Sequence, residues 1–88
     1  MKVHFRKRFL KDLSSLPVSF QNKIEVLVFK TIPALSAQEI YKKVKKMHGY
    51  RNFYKMRVGD YRIGIKITQD EIILERVLHR KDIYKFFP

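Results

Sequence analysis

The chain has no cysteine, only three glycines and three prolines, and just eight acidic residues among 88. Without cysteine there is no disulfide framework and no thiolate metal site. His4, His48 and His79 are scattered and lack the spacing a zinc site needs, so neither a metal nor a cofactor is expected. No run is apolar for long enough to cross a bilayer, and Met1-Lys2-Val3-His4-Phe5 lacks the form of a signal peptide. A cytoplasmic protein without a membrane partner is therefore expected. Repeats, low-complexity tracts and Gly/Ser linkers are also absent, so residues 1–88 are expected to form one small domain.

What the chain does have is positive charge. Twenty Lys and Arg give a formal net charge of +12. Residues 1–44 hold nine cations and three acids, and residues 45–88 hold eleven and five. The excess is even along the chain, so it belongs to the folded body rather than to a tail. Such a surface attracts polyanions, either nucleic acid or an acidic protein. A hydrophobic content of 45% is normal for a globular fold.

The pattern of apolar residues sets the order of elements. Lys2-Val3-His4-Phe5 is a short strand. Phe9, Leu10, Leu13 and Leu16 then recur at helical spacing, giving an amphipathic helix over about 6–14 that Ser14-Ser15-Leu16-Pro17 ends. A second helix starts near Pro17 and carries Phe20, Ile24, Leu27 and Val28 inward to about Thr31, where Pro33 is expected to stop it. The two form an αα-hairpin. Ser36-Ala37-Gln38-Glu39 has the form of a capping box, for a short helix over 37–43. Lys42-Lys43-Val44-Lys45-Lys46 reads as a solvated connection. The period then changes to two. Tyr54, Met56 and Val58 alternate with Lys55 and Arg57, Gly59-Asp60 turns the chain, and Tyr61, Ile63, Ile65 and Ile67 alternate with Arg62, Gly64 and Lys66. Gln69-Asp70 is a second turn, and Ile72–Leu78 is a more uniformly apolar strand of the sheet interior. Lys81–Phe87 is expected to form a last helical turn that docks Ile83, Phe86 and Phe87.

The expected fold is α+β. An N-terminal strand and a three-stranded antiparallel meander join in one sheet, with the helices on one face. Lys55, Arg57 and Arg62 share the other face, which is left open and basic.

Two segments carry a resemblance. Tyr54-Lys55-Met56-Arg57-Val58-Gly59-Asp60-Tyr61-Arg62-Ile63 and Val77-Leu78-His79-Arg80-Lys81-Asp82-Ile83-Tyr84, preceded by Phe9-Leu10-Lys11-Asp12-Leu13-Ser14-Ser15-Leu16-Pro17, resemble the RelE/ParE superfamily of toxins from type II toxin–antitoxin modules, nearest the RelE branch. The resemblance implies a metal-independent endoribonuclease. Such toxins bind the ribosomal A site and cut mRNA there through attack of the ribose 2′-OH. It implies that Lys55, Arg57, Arg62, Arg80 and Tyr84 are the active residues. It also implies partners: the ribosome and its rRNA, mRNA, an acidic antitoxin that silences the toxin, and operator DNA reached only through that antitoxin.

Each role has a physical reason and a plainer alternative. Arg62, assisted by Arg57, can meet the extra charge on the non-bridging oxygens of a phosphorane-like transition state with two donors in a fixed fork. The alternative is a solvated strand face. The general base is open. Many RelE relatives carry Lys at the position of Arg57, but Arg, with a pKa above ~12, does not give up its proton. Lys55 with a depressed pKa, His79, or alignment of the 2′-OH by the ribosome itself are the three possibilities. Arg80 is assigned to the leaving 5′-oxygen, against an ion pair with Glu75 or Asp82. Tyr84 is assigned to stacking on a base, against packing with Phe86 and Phe87. Arg6, Lys7, Arg8 and Lys11 on the first helix, and Arg51 among aromatics, are candidates for gripping RNA phosphates. The competing reading is a non-catalytic ParE-like toxin that binds and poisons DNA gyrase, and a weaker one is a co-repressor that binds DNA with its antitoxin. A gyrase binder has no physical need for all five active residues.

Overall fold

The computed structural model describes the whole chain, Met1–Pro88. Five strands form one sheet: β1 (Lys2–Phe5), β2 (Lys45–Lys46), β3 (Phe53–Val58), β4 (Tyr61–Ile67) and β5 (Glu71–His79), in the order β1-β5-β4-β3-β2. The meander β3-β4-β5 is antiparallel, as its period-two pattern predicts, and β1 adds to β5 in parallel. The helices are α1 (Lys7–Ser14), α2 (Val18–Val26), α3 (Ile32–Ala34), α4 (Ala37–Lys43) and α5 (Ile83–Phe86). None is long and apolar enough to cross a membrane.

Phe9 and Leu13 of α1, Ile24 of α2 and Ile40 of α4 pack against Met56, Val58, Ile63, Ile65, Ile67, Ile72, Leu74 and Val77 of the sheet, and no charged or polar side chain is buried with them. Leu10, expected in the apolar stripe, points outward and is 44% exposed, because Phe9 and Leu13 already fill the inner face of that helix. Phe20 and Leu27 are half-buried, while Ile24 and Val28 are fully buried.

Three expectations are corrected. Pro33 does not stop the second helix. The chain widens into a π-helical turn at Leu27–Thr31, with the Ile32 N–H bonding to Leu27 O, and helix resumes through Ala34. Pro33 sits near the start of that last segment, where its missing N–H costs little. The basic run is not simply a solvated connection. Lys42 and Lys43 end α4, which the Ser36–Glu39 capping box starts as expected, and Lys45 and Lys46 form β2 against Lys55 and Tyr54. Finally, the helices are not all on one face. α5 lies across the open side of the sheet. There Ile83 and Phe87 join Met47, Phe53 and Leu78 in a second small core, while Phe86 is 58% exposed rather than docked.

Two details position this arrangement. The first is the edge of β5 beyond β1. Arg6 N–H bonds to Leu74 O, and Asp12 of α1 then accepts from Val77 N–H (3.2 Å) and from the Arg76 guanidinium (2.7 and 3.2 Å). This pins α1 where the strand is irregular. Ile65 pairs with Leu74 but Gly64 pairs with Arg76, so Glu75 is an extra residue, and the bulge lets Leu74 and Val77 both face the main core. The second is Gly64. A Cβ there would lie 2.7–2.8 Å from the Phe87 ring, so the tail reaches the sheet only because residue 64 has no side chain.

Gly64→Ala is accordingly expected to lift Phe87 off the sheet and to destabilise the fold by about 1–3 kcal/mol, seen as a lower urea midpoint with an unchanged slope. An unchanged midpoint would show that Phe87 does not depend on this close approach.

Candidate active site

The open face is built in rows. Arg57 stands directly opposite Arg62 across the β3–β4 hairpin, Lys55 opposite Gly64, and Phe53 opposite Lys66. Lys45 of β2 stands opposite Lys55 on its other side. The hairpin turn has a positive φ at Gly59 (57°) and not at Asp60, the type II′ pattern that suits a two-residue turn. Facing rows of like charge destabilise a sheet, so this arrangement serves something other than stability.

The sequence-predicted residues Lys55, Arg57 and Arg62 line one concave pocket of about 420 Å³. Its other wall is Lys42, Lys43, Val44 and Lys45. Six cations thus meet around a space without a carboxylate. The three wall lysines are what sequence reasoning missed. Their signal was the basic run itself, which sits beside the pocket because α4 ends there and β2 pairs with β3.

Arg62 is half-buried and oriented. Its Nη1 donates to Gly59 O (2.8 Å) and Tyr61 O (3.0 Å), so the hairpin turn holds the guanidinium and leaves its other donors for a ligand. Lys55 is half-buried, and burial first, then the charges of Lys45 and Arg62, hold its ammonium below the usual lysine range. Lys55 Nζ donates to the hydroxyl of Tyr84 and lies 4.5 Å from the ring centroid. Tyr84 is nevertheless 64% exposed, so much of its surface is open to solvent.

The remaining residues are less convergent. Arg80 is exposed where β5 ends beside the hairpin turn, its backbone N–H bonding to Asp60 O (2.8 Å). It makes no ion pair, since Glu75 pairs with Arg6 (3.3 Å) and Asp82 with Lys85 (3.9 Å). His79 lies opposite Tyr61, with ring centroids 5.6 Å apart, on the helix-covered face of the sheet rather than the face of Lys55, and its Nδ1 accepts from Lys81 N–H. Arg6, Lys7 and Arg8 line a different groove, and Arg51 belongs to the loop that follows β2. Lys11 is exposed on α1, outside both pockets.

The chain and its fold match known proteins. A family model described as the ParE toxin of type II toxin–antitoxin systems, parDE, matches residues 3–84. Toxin RelE3 of Methanocaldococcus jannaschii is 44% identical over 88 residues, all of both chains. Among solved structures, a chain of the RelB–RelE antitoxin–toxin complex from Methanococcus jannaschii superposes with a TM-score of 0.77 at 41% identity, covering 97% of this chain and 99% of that one. The toxin–antitoxin complex RelBE2 from Mycobacterium tuberculosis shares the fold, with a TM-score of 0.73 at 22% identity over 90% of this chain and 96% of that one. The chain belongs to the RelE/ParE superfamily, the toxins of type II toxin–antitoxin systems, and is RelE-like.

The cost of burying the Lys55 charge among other cations has a measurable sign. Lys55 binds its proton less tightly in the folded chain than in the unfolded one, so its charged form costs stability. That cost is full below the folded-state pKa and fades as pH rises toward 10.5. Lys55→Met is expected to raise the Tm by roughly 2–5 °C at pH 7, with a smaller gain at pH 10, in scanning calorimetry. A variant that melts earlier than the wild type at pH 7 would contradict a stability cost from the half-buried Lys55 charge.

Proposed function

We propose that this toxin is a ribosome-dependent endoribonuclease that cuts mRNA in the A site and so inhibits translation. The observation that carries the reading is Lys55. It is a lysine held below its ordinary pKa, in a pocket of cations, with an oriented arginine on one side and an exposed tyrosine on the other. A surface that only grips another protein has no need for a half-buried lysine set between an oriented arginine and a tyrosine hydroxyl.

The chemistry follows from these positions. Lys55 in its neutral form takes the proton of the ribose 2′-OH. The 2′-oxygen attacks the adjacent phosphorus, the bond to the 5′-oxygen breaks, and a 2′,3′-cyclic phosphate forms. Water returns a proton to the leaving 5′-oxygen. Arg62, held by the hairpin turn, and Arg57 opposite it neutralise the non-bridging oxygens as their charge grows. Arg80, with no carboxylate of its own, offsets charge on the leaving oxygen. The exposed ring of Tyr84 stacks on a base and aligns the strand. Of the possible bases, Lys55 is favoured over His79, which stands on the opposite side of the sheet. Lys42, Lys43 and Lys45 add phosphate contacts. The partner proposed to silence the toxin is an acidic antitoxin, whose carboxylates would occupy the pocket that has none.

The test is primer extension on a defined mRNA in a purified translation system, with and without ribosomes. Cuts inside the A-site codon that require ribosomes are expected. Arg62→Ala should lower the cleavage rate by about 10²-fold or more while the protein stays folded by circular dichroism. No cuts in either condition from a folded protein, together with inhibition of DNA gyrase, would transfer the assignment to gyrase poisoning. The pH profile is a separate check. Cleavage should rise with pH through a pKa below 10.5 and then level off, and Lys55→Arg should remove the rise.

A further inference from the structure

The Phe87 ring on Gly64 divides the open face in two. On one side is the pocket of Lys55. On the other is a groove of about 450 Å³ between the start of α1 and the tail. Its cations fall into two groups. Arg6 is tied to Glu75 (3.3 Å) and Arg76 to Asp12 (2.7 Å), so these are already neutralised. Lys7, Arg8 and Lys66 make no ion pair. The same groove holds Phe86, a ring 58% exposed with the Arg76 guanidinium 5.9 Å from its centroid. An exposed aromatic plane beside a fixed guanidinium is the surface on which a planar base stacks, and three unpaired cations around it suit phosphates. Position supports the same ligand. Lys66 lies four residues along β4 from Arg62 on the same face, about 13 Å away at the rise of a strand.

We propose that this groove is a second nucleotide subsite, which takes one base against Phe86 and the neighbouring phosphates on Lys7, Arg8 and Lys66. The subsite rests on the nuclease reading only in that the ligand is a further part of the same single-stranded RNA, crossing the α5 ridge from the Lys55 pocket. A nucleotide fits better than an acidic peptide, because carboxylates have no use for Phe86, and the apolar ring would stay in water.

The experiment is an NMR titration of the isotope-labelled protein with adenosine 5′-monophosphate, inorganic phosphate and hexaglutamate as separate probes. The nucleotide is expected to shift the signals of Lys7, Arg8 and Phe86, and phosphate at the same concentration to shift them much less. Phe86→Ala should weaken nucleotide binding in the groove by about tenfold. Because Phe86 is exposed, that variant should keep its spectral dispersion, and Lys7→Gln with Arg8→Gln gives an independent loss. Arg62→Ala, which acts on the other pocket, should leave the groove shifts in place. Equal responses to nucleotide and phosphate would overturn the proposal in favour of a simple ion site. Hexaglutamate binding the groove more tightly than the nucleotide would overturn it in favour of an acidic protein. Groove binding without ribosome-dependent cleavage removes the nuclease reading and leaves the subsite. Cleavage without groove shifts removes the subsite alone.

Discussion

Six like charges share one pocket with no carboxylate among them, and the surrounding structure has to hold them there against their repulsion. It does so by spending its few acids elsewhere. Asp12 clamps α1 to the bulged part of β5, Glu75 holds Arg6, Glu71 meets His4 at the β1 edge (2.6 Å), and Glu39 closes the cap of α4. Glu39 caps the helix whose end forms the pocket's far wall, and Asp12 and Glu75 hold the start of α1 against β5. Within these walls burial first, and then the charges of Lys45 and Arg62, hold the Lys55 ammonium below the usual lysine range.

The second organising feature is a sheet used on both sides. One side carries a closed core with no polar side chain in it. The other carries a small core around Phe87, Ile83 and Met47 that occupies only the centre. This central ridge keeps the two basic regions apart and sets Tyr84 beside Lys55. A face left wholly open would present one undivided patch of charge, with affinity for polyanions but nothing to orient them.

The meander, the capping box and the cation rows were legible in the sequence because each is a local pattern with a fixed period. Tyr54, Met56 and Val58 against Lys55 and Arg57 leaves no other assignment of faces. What was not legible depends on close approach between distant segments. Gly64 reads as a gap in an alternating strand, and nothing in its neighbours says that Phe87 will fill it. Phe86 and Phe87 are adjacent and equally apolar, and only the docked tail decides which is buried. Lys42–Lys46 looks like a run for water because charge usually is, yet backbone pairing to β3 draws two of those lysines into the sheet. Pro33 signals a stop, and the π-helical turn before it lets helix continue. For the site, Lys55, Arg57 and Arg62 were legible as one face, whereas the side of the sheet on which His79 falls depends on the register of β5.

The dependence of Tyr84 on the docked tail has a consequence for the making of the chain. Residues emerge from a ribosome in order, and the parallel strand β1 has no partner until β5 exists. Phe87 has no seat until β4 is flanked by both its neighbours, and Tyr84 is aligned only when that seat is taken. The pocket's charges are therefore translated well before they are assembled. From Lys42 onward the growing polypeptide carries the pocket's cations in an unassembled state until its last residues are added.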